Sequence, residues 1–476
     1  MSYLDLENTT SPEMKYILSD ENMTKIYRRI WIALAEAEQQ VGLNITDAQI
    51  AQMREKCDEI DLDLINKLQK RYGNLTIAAI EEFGKVAPLA EPIIHLGATT
   101  NDLIDNGNLI WMKEATQLLI EKMLKVVANL RVFVDQYKDM PILGYTRLQA
   151  AQPVTVGKRA AVWLQDAMFD VLALQEQIDG MYFRGLKGAT GTQASFFALL
   201  DGDMDKVEKL DRLFSQKLGF QKLMPITSQI FTRKVESKLM SALAGIAETS
   251  QKVGNDIRIL AMLKELEEPV PAEQVGSSTM AYKRNPWIAE DLVGYGKFLI
   301  TLLPAVFQAT GQEMLEQSCD NLAVRILSIA NIFKAADTCC EKLITMTSGI
   351  MVYDKIIKRN LEQELPFMAI ENIIMEAAKK GADRQDMHHI LKEISMETVR
   401  RVRVEGLDNN ILERVIENDA IPLDRADIER IVAPEKFIGM AARQVERFIK
   451  EDVDPFLSRN GVTGGTMVCC NTYKNK

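Results

Sequence analysis

Apolar residues recur along most of the chain at helical spacing, whereas the two-residue alternation of half-buried strands is nearly absent. From about Leu109 to Tyr137 they fall at Met112, Ala115, Leu119, Met123, Val126, Leu130 and Phe133. Those steps of three and four mark a helix packed along a seam. A second run repeats the rhythm at Ala160, Leu164, Ala167, Val171, Leu174, Ile178 and Met181. A third gives Leu239, Leu243, Ile246, Val253, Ile257 and Leu260, and Pro269 and Pro271 stop it. Runs of about 25 to 40 residues make rods roughly 40 to 60 Å long at 1.5 Å per residue. Such rods bury their seams only against other rods, so the pattern predicts a bundle with enough exposed length to recruit bundles from other subunits.

The flanks are built from shorter elements. Ser11-Pro12-Glu13, Ser19-Asp20 and Thr46-Asp47 are helix-start signals, and the middle one opens an amphipathic run that ends near Gly42. A loop-rich passage with Gly84, Pro88 and Pro92 follows, ending in His95-Leu96-Gly97-Ala98-Thr99-Thr100. Past Gly349 the elements shorten again and turn signals multiply. The expected organisation is an N-terminal helical domain over 1–99, a central long-helix bundle over 100–352 and a C-terminal helical domain over 353–476. The polar tail from Gly461 is expected to be loose.

Composition narrows the function classes. The 476 residues include 57 Lys+Arg and 67 Asp+Glu, a formal net charge of −10, with 47% apolar and 26% charged residues. This is the make-up of a soluble globular protein with an ample core. An acidic balance without a dense Lys/Arg block argues against nucleic acid or an anionic membrane as partner. No run approaches the roughly 20 uninterrupted apolar residues of a spanning helix. The apolar run near Phe298–Phe307 contains Pro304. The start, Met1-Ser2-Tyr3-Leu4-Asp5-Leu6-Glu7, has neither a basic nor an apolar leader region, so a cytoplasmic location is expected. Cys57, Cys319, Cys339-Cys340 and Cys469-Cys470 form no C-x-x-C unit, so reduced thiols and no metal are expected. Only His95, His388 and His389 are available as imidazole acids or bases near neutrality.

Three segments do not read as packing. Gly276-Ser277-Ser278-Thr279-Met280-Ala281-Tyr282-Lys283-Arg284-Asn285-Pro286 joins two long helices and combines hydroxyls, two cations and an amide. It has the make-up of an anion cradle, or of a polar interhelical loop. Arg184-Gly185-Leu186-Lys187-Gly188-Ala189-Thr190-Gly191-Thr192-Gln193-Ala194-Ser195 permits close backbone approach to a ligand but lacks Walker-type spacing. Gly144-Tyr145-Thr146-Arg147-Leu148-Gln149-Ala150-Ala151-Gln152 is a polar stretch ahead of the second rod.

At these residues the chain resembles a known family. Gly276 to Pro286 looks like the signature loop of the fumarase/aspartase superfamily, G-S-S-x-M-P-x-K-x-N-P, with Ala281 in place of its proline. The Arg184–Ser195 stretch, Tyr282-Lys283-Arg284-Asn285-Pro286 and Glu364-Leu365-Pro366-Phe367-Met368-Ala369 resemble the animal-type adenylosuccinate lyase family. The similarity runs from about Ser11 to about Leu457. The resemblance implies an all-α, three-domain fold with a tetrameric twenty-helix core and active sites drawn from three subunits. It also implies a cofactor-free β-elimination across a C–N bond in purine nucleotide synthesis. A loop serine takes the Cβ proton, a histidine protonates the leaving nitrogen, and fumarate departs from AMP or its ribotide analogue. Carried over by position, Ser277 matches the base, and Lys283 and Asn285 match carboxylate and loop contacts. Thr99 and Thr100 match succinyl contacts, and Gln229 matches a substrate amide contact.

The departures from the family pattern fall where the chemistry belongs. The family's T-H-x-Q carries the general acid, and that position is Arg147. A guanidinium with a pKa above about 12 donates no proton near neutrality. The R-H-D triplet with the second active-site histidine is Gly73-Asn74-Leu75. The Arg-Tyr pair at the phosphate aligns with Asn8-Thr9, and the E-R-T-L-D-D-S-A-N-R-R run puts Gln317, Leu322 and Ile326 where arginine, serine and arginine belong. An arginine beyond the signature loop is replaced by Asp291, a charge reversal.

The leading reading is therefore a catalytically impaired or dead family member that works through assembly or binding. It would form a homotetramer or a hetero-oligomer with an active paralogue. An active adenylosuccinate lyase, or a lyase retuned to another succinyl or anionic substrate with Arg147 as anion contact, is the second reading. A structural protein without ligand is the third.

Overall fold

The computed structural model describes residues 6–270, 280 and 282–462. The helix-start signals act as read. Ser11 Oγ accepts the Met14 N–H at 3.2 Å to open α1 (Pro12–Ile17), and Ser19 Oγ accepts the Asn22 N–H at 3.1 Å to open α2 (Asp20–Gln40). Thr46 and Gln49 form a reciprocal capping box at α3 (Asp47–Glu55). α4 (Leu62–Tyr72) and α5 (Leu75–Val86) complete the amino-terminal series.

The three periodic runs lie in the long helices α6 (Thr100–Gln136), α7 (Val156–Asp179) and, after the short α8 (Ala194–Leu199) and α9 (Met204–Lys217), α10 (Lys234–Met262), except that Met181, the last member of the second run, lies just past the end of α7. Two more rods follow, α11 (Trp287–Gly311) and α12 (Leu322–Ser348). By length and composition alone α11 could cross a membrane, with a mean hydropathy of 1.4 over its most apolar window, a test that core helices of soluble bundles also pass. Shorter helices close the chain: α13 (Asp354–Met368), α14 (Ile370–Lys379), α15 (Arg384–Glu405), α16 (Ile411–Ile416), α17 (Arg425–Ile431), α18 (Ala441–Phe448) and α19 (Asp454–Arg459).

The polar stretch ahead of α7 is not a loop but an antiparallel hairpin of β1 (Pro141–Thr146) and β2 (Gln149–Thr155). A register shift between Ile142 and Gly144, and a β2 whose first residues are exposed or half-buried on both faces, remove the alternation that would announce it. Gly144 is required at the crossing, because a Cβ there would lie 2.3 Å from the Gln152 carbonyl oxygen. A minimal second sheet pairs β3 (Leu266–Glu267) with β4 (Met351–Val352).

The fold divides into two compact units, each assembled from three stretches. The first comprises Met1–Met123, Phe169–Gln251 and Asp291–Lys342, and the second Leu124–Met168, Lys252–Glu290 and Leu343–Lys476. In the first unit, Trp31 stacks on Phe83 with both rings buried. There too Lys122 is buried against Asp337 at 2.5 Å, and Asp337 also accepts the Ser11 N–H at 2.7 Å, fastening the amino-terminal segment to α12. In the second unit, Ile373, Leu391, Ile411, Val415 and Ile428 form the centre of the carboxyl-terminal core. Arg131 grips Asp454 with two hydrogen bonds of 2.8 and 3.0 Å, joining α6 to α19.

Candidate functional site

In the first unit the site is assembled around one buried carboxylate. Asp102 lies in the first turn of α6, and its two oxygens accept the Thr99 N–H at 2.8 Å, the Lys187 N–H at 2.8 Å and the Gly188 N–H at 3.1 Å. They also take a hydrogen bond from Arg184, whose Nε and Nη2 bind the Gln229 carbonyl at 3.0 and 2.6 Å. Thr99, Thr100, the Arg184–Ser195 loop and Gln229 are thereby brought together, with Thr99, Thr100 and Gln229 half-buried. Backbone approach in that loop is close: a Cβ on Gly191 would lie 2.3 Å from the Thr227 carbonyl oxygen. Hydroxyls at the amino end of a long helix suit an anionic group, since the helix dipole and unpaired N–H groups favour negative charge there.

The positions expected to hold phosphate are occupied otherwise. Gln317 accepts a 2.8 Å hydrogen bond from Asn101. Arg325 is buried in a bidentate pair with Glu236, with Nε to the two carboxylate oxygens at 2.8 and 2.7 Å. Its neighbours Leu322 and Ile326 are 46% and 52% exposed, so the first turns of α12 present hydrocarbon where arginine and serine would bind an anion. Thr9 Oγ1 lies 3.2 Å from Thr338 Oγ1, within the segment fastened to α12, and Asn8 is exposed beside it. Asp291 pairs with Lys342 at 2.7 Å, so the reversed charge is balanced inside the chain.

The stretch Gly73-Asn74-Leu75 is a helix junction. Gly73 ends α4 at φ 66°, Asn74 Oδ1 caps α5 by accepting the Ile77 N–H at 3.1 Å, and Leu75 is the first residue of that helix.

The second unit holds the other candidates. Arg147 and Leu148 form the two-residue tip of the hairpin with φ of 53° and 58°, the positive values that a type I′ turn requires of both. The Arg147 side chain is exposed and makes no ion pair or hydrogen bond among the described residues. Lys283 is exposed and Asn285 half-buried, immediately before α11. The start of α11 is capped by the buried Glu268, which accepts the Ile288 and Ala289 N–H groups at 3.1 and 3.0 Å. Ser277 lies outside the described residues.

The described histidines lie in two different settings. His95 accepts the Trp31 indole N–H on Nδ1 at 3.0 Å. Burial lowers its pKa to about 4 against the opposing pull of Asp102, so at neutral pH it is an uncharged imidazole. His388 and His389 are exposed neighbours on α15. Cys339 and Cys340 are buried free thiols, and burial pushes Cys339 up to about 12. Among the described residues no cluster of His, Cys, Asp and Glu has metal-binding geometry.

A lyase family model matches residues 5–297, and a model of the adenylosuccinate lyase C-terminus matches residues 366–448. An adenylosuccinate lyase of Saccharomyces cerevisiae is 38% identical over 462 residues, covering 94% of this chain and 96% of the relative. The chain belongs to the adenylosuccinate lyase family. An adenylosuccinate lyase of Schizosaccharomyces pombe is also 38% identical, over 94% of each chain. Among solved structures, 3-carboxy-cis,cis-muconate lactonizing enzyme from Pseudomonas putida superposes with a TM-score of 0.82 at 24% identity, covering 96% of this chain and all of that one. A fumarate lyase from Mesorhizobium sp. BNC1 gives 0.78 at 20% identity, over 93% of this chain and 98% of that one. These share the fold of the adenylosuccinate lyase family. Sequence reasoning had missed Asp102 as the hub of the site. Its only signal is an acid three residues after Thr99, the spacing of a reciprocal helix-start contact.

Proposed function

We propose that this adenylosuccinate lyase family member retains the assembly and the succinyl-facing part of the site but has lost most or all of the C–N lyase reaction. One observation carries the reading: the hairpin tip that should present a proton donor presents Arg147, and the buried His95 is held in its uncharged form. Loss of a positioned acid lowers the rate on the order of 10²–10⁴-fold. Leu322, Ile326 and Gln317 remove phosphate contacts in addition. The protein acts as a cytoplasmic tetramer, alone or mixed with an active paralogue whose histidine completes a shared site. Support for assembly comes from large apolar side chains left exposed on the rods, Phe169 and Leu172 on α7 and Phe298 and Phe307 on α11.

A second reading, a lyase retuned to a different anion, is favoured by Thr99 and Thr100 at the head of α6 together with the exposed Arg147. Purified chain, free of any paralogue, is assayed for loss of adenylosuccinate absorbance and for fumarate release. Turnover within tenfold of the S. cerevisiae relative refutes the proposal. Release of fumarate from another succinylated compound favours the second reading.

A further inference from the structure

A cleft of about 350 Å³ in the second unit lies against α7, α10 and the hairpin. Its walls are largely hydrocarbon, from Leu148 and Val154 of the hairpin segment, Val162 of α7 and Ile259 and Leu260 of α10. Its charged lining is unbalanced. Among the described residues Asp256 is the one acid lining it, and that carboxylate already takes the Trp163 indole N–H at 2.8 Å and the Lys252 ammonium at 2.5 Å. Lys158 makes no ion pair among the described residues, and Arg159 bonds the Leu143 carbonyl through Nη2 while its buried Nη1 has no hydrogen-bond partner. A buried N–H without an acceptor costs on the order of 1–3 kcal/mol, so the guanidinium is short of an acceptor. The nearby Glu265 does not supply one: its Oε2 is also unpartnered, and burial pushes its carboxyl upward in pKa, toward the neutral form.

We propose that this cleft binds a small organic carboxylate, its apolar body lying against α7 and α10 and its charged end held by Lys158 and Arg159. The volume suits a ligand with one ring or a short branched chain, and the hydrocarbon walls disfavour a free inorganic ion. Leu148 is both a wall of the cleft and the second residue of the turn that carries Arg147, so an occupant packs against the segment that presents Arg147. The inference is independent of whether the protein turns over adenylosuccinate.

Benzoate and its neutral isostere benzamide are titrated into the full-length protein and followed by calorimetry or ligand-observed NMR. Benzoate is expected to bind at least about tenfold more tightly than benzamide, a difference of about 1.4 kcal/mol. Lys158→Gln is expected to weaken benzoate severalfold, and Val162→Trp to abolish its binding by filling the cleft. Arg159→Gln should do the same, but because Arg159 also braces the hairpin the first two variants decide the matter. Equal binding of benzoate and benzamide overturns the proposal, as does benzoate binding that survives Val162→Trp. No benzoate binding by the wild-type protein overturns it too, and if Val162→Asp then dissociates an oligomer, a second copy of the chain covers the cleft instead.

Discussion

The amino ends of α6 and α12, both in the first unit, present different side chains over similar buried ionic frameworks. At α6, Thr99 and Thr100 keep their hydroxyls, and Asp102 holds the turn through three backbone N–H groups and Arg184. At α12, Leu322 and Ile326 face outward, while the intervening Arg325 remains locked to Glu236. At both ends a buried ionic framework fixes the backbone, and at α12 Leu322 and Ile326 point away from it. A scaffold held from within tolerates loss of a ligand-facing charge, because an exposed side chain contributes little to stability. Retention of the fold is therefore no evidence of retained chemistry.

Substitutions should separate the two ends sharply. The largest effect is expected for Asp102→Ala, which leaves Arg184 buried without its counter-charge and should lower unfolding free energy by about 3–5 kcal/mol in urea titrations. A loss below about 1 kcal/mol would mean that the α6 end is not held by this carboxylate. Next comes the pH dependence of His95, whose folded pKa of about 4 lies below the ordinary 6.5. The unfolded chain binds more protons between those values, so His95 contributes its full stability above pH 6.5 and loses it as pH falls toward 4. The difference amounts to about 3 kcal/mol, and His95→Gln should flatten that segment of the stability profile relative to wild type. An unchanged profile would show that the imidazole takes up its proton as readily in the fold as in the unfolded chain. Asn74→Ala, which removes the α5 cap, should lower stability by about 1 kcal/mol. The smallest effect is expected at the other end of the comparison: Leu322→Ser and Ile326→Arg should each change monomer stability by less than about 0.5 kcal/mol. A larger loss would mean that α12's outer face is structural after all.

The sequence made the rods and their caps legible because those signals are local: Ser11, Ser19 and Thr46 each bond a group three residues on. The hairpin was not legible, since its bulge and its exposed Gln149-Ala150 start break the alternation that marks a strand. Nor was the Asp102 hub, whose partners Arg184, Lys187 and Gly188 lie more than eighty residues away and meet it only in the fold. The positions that depart from the family pattern were readable, but the contacts they make were not. Asn74 caps α5, Asp291 pairs with Lys342, and Gln317 accepts from Asn101.

The central claim is that lyase chemistry has been lost at the proton donor and at the phosphate end together. It is tested most directly by comparing adenylosuccinate cleavage in the wild-type chain, in Arg147→His, and in Arg147→His combined with Gln317→Arg, Leu322→Ser and Ile326→Arg. Wild-type turnover is expected at least about 10²-fold below that of the S. cerevisiae relative, with little rescue by histidine alone and a clear gain only in the combined variant. Wild-type turnover equal to the relative's would contradict it.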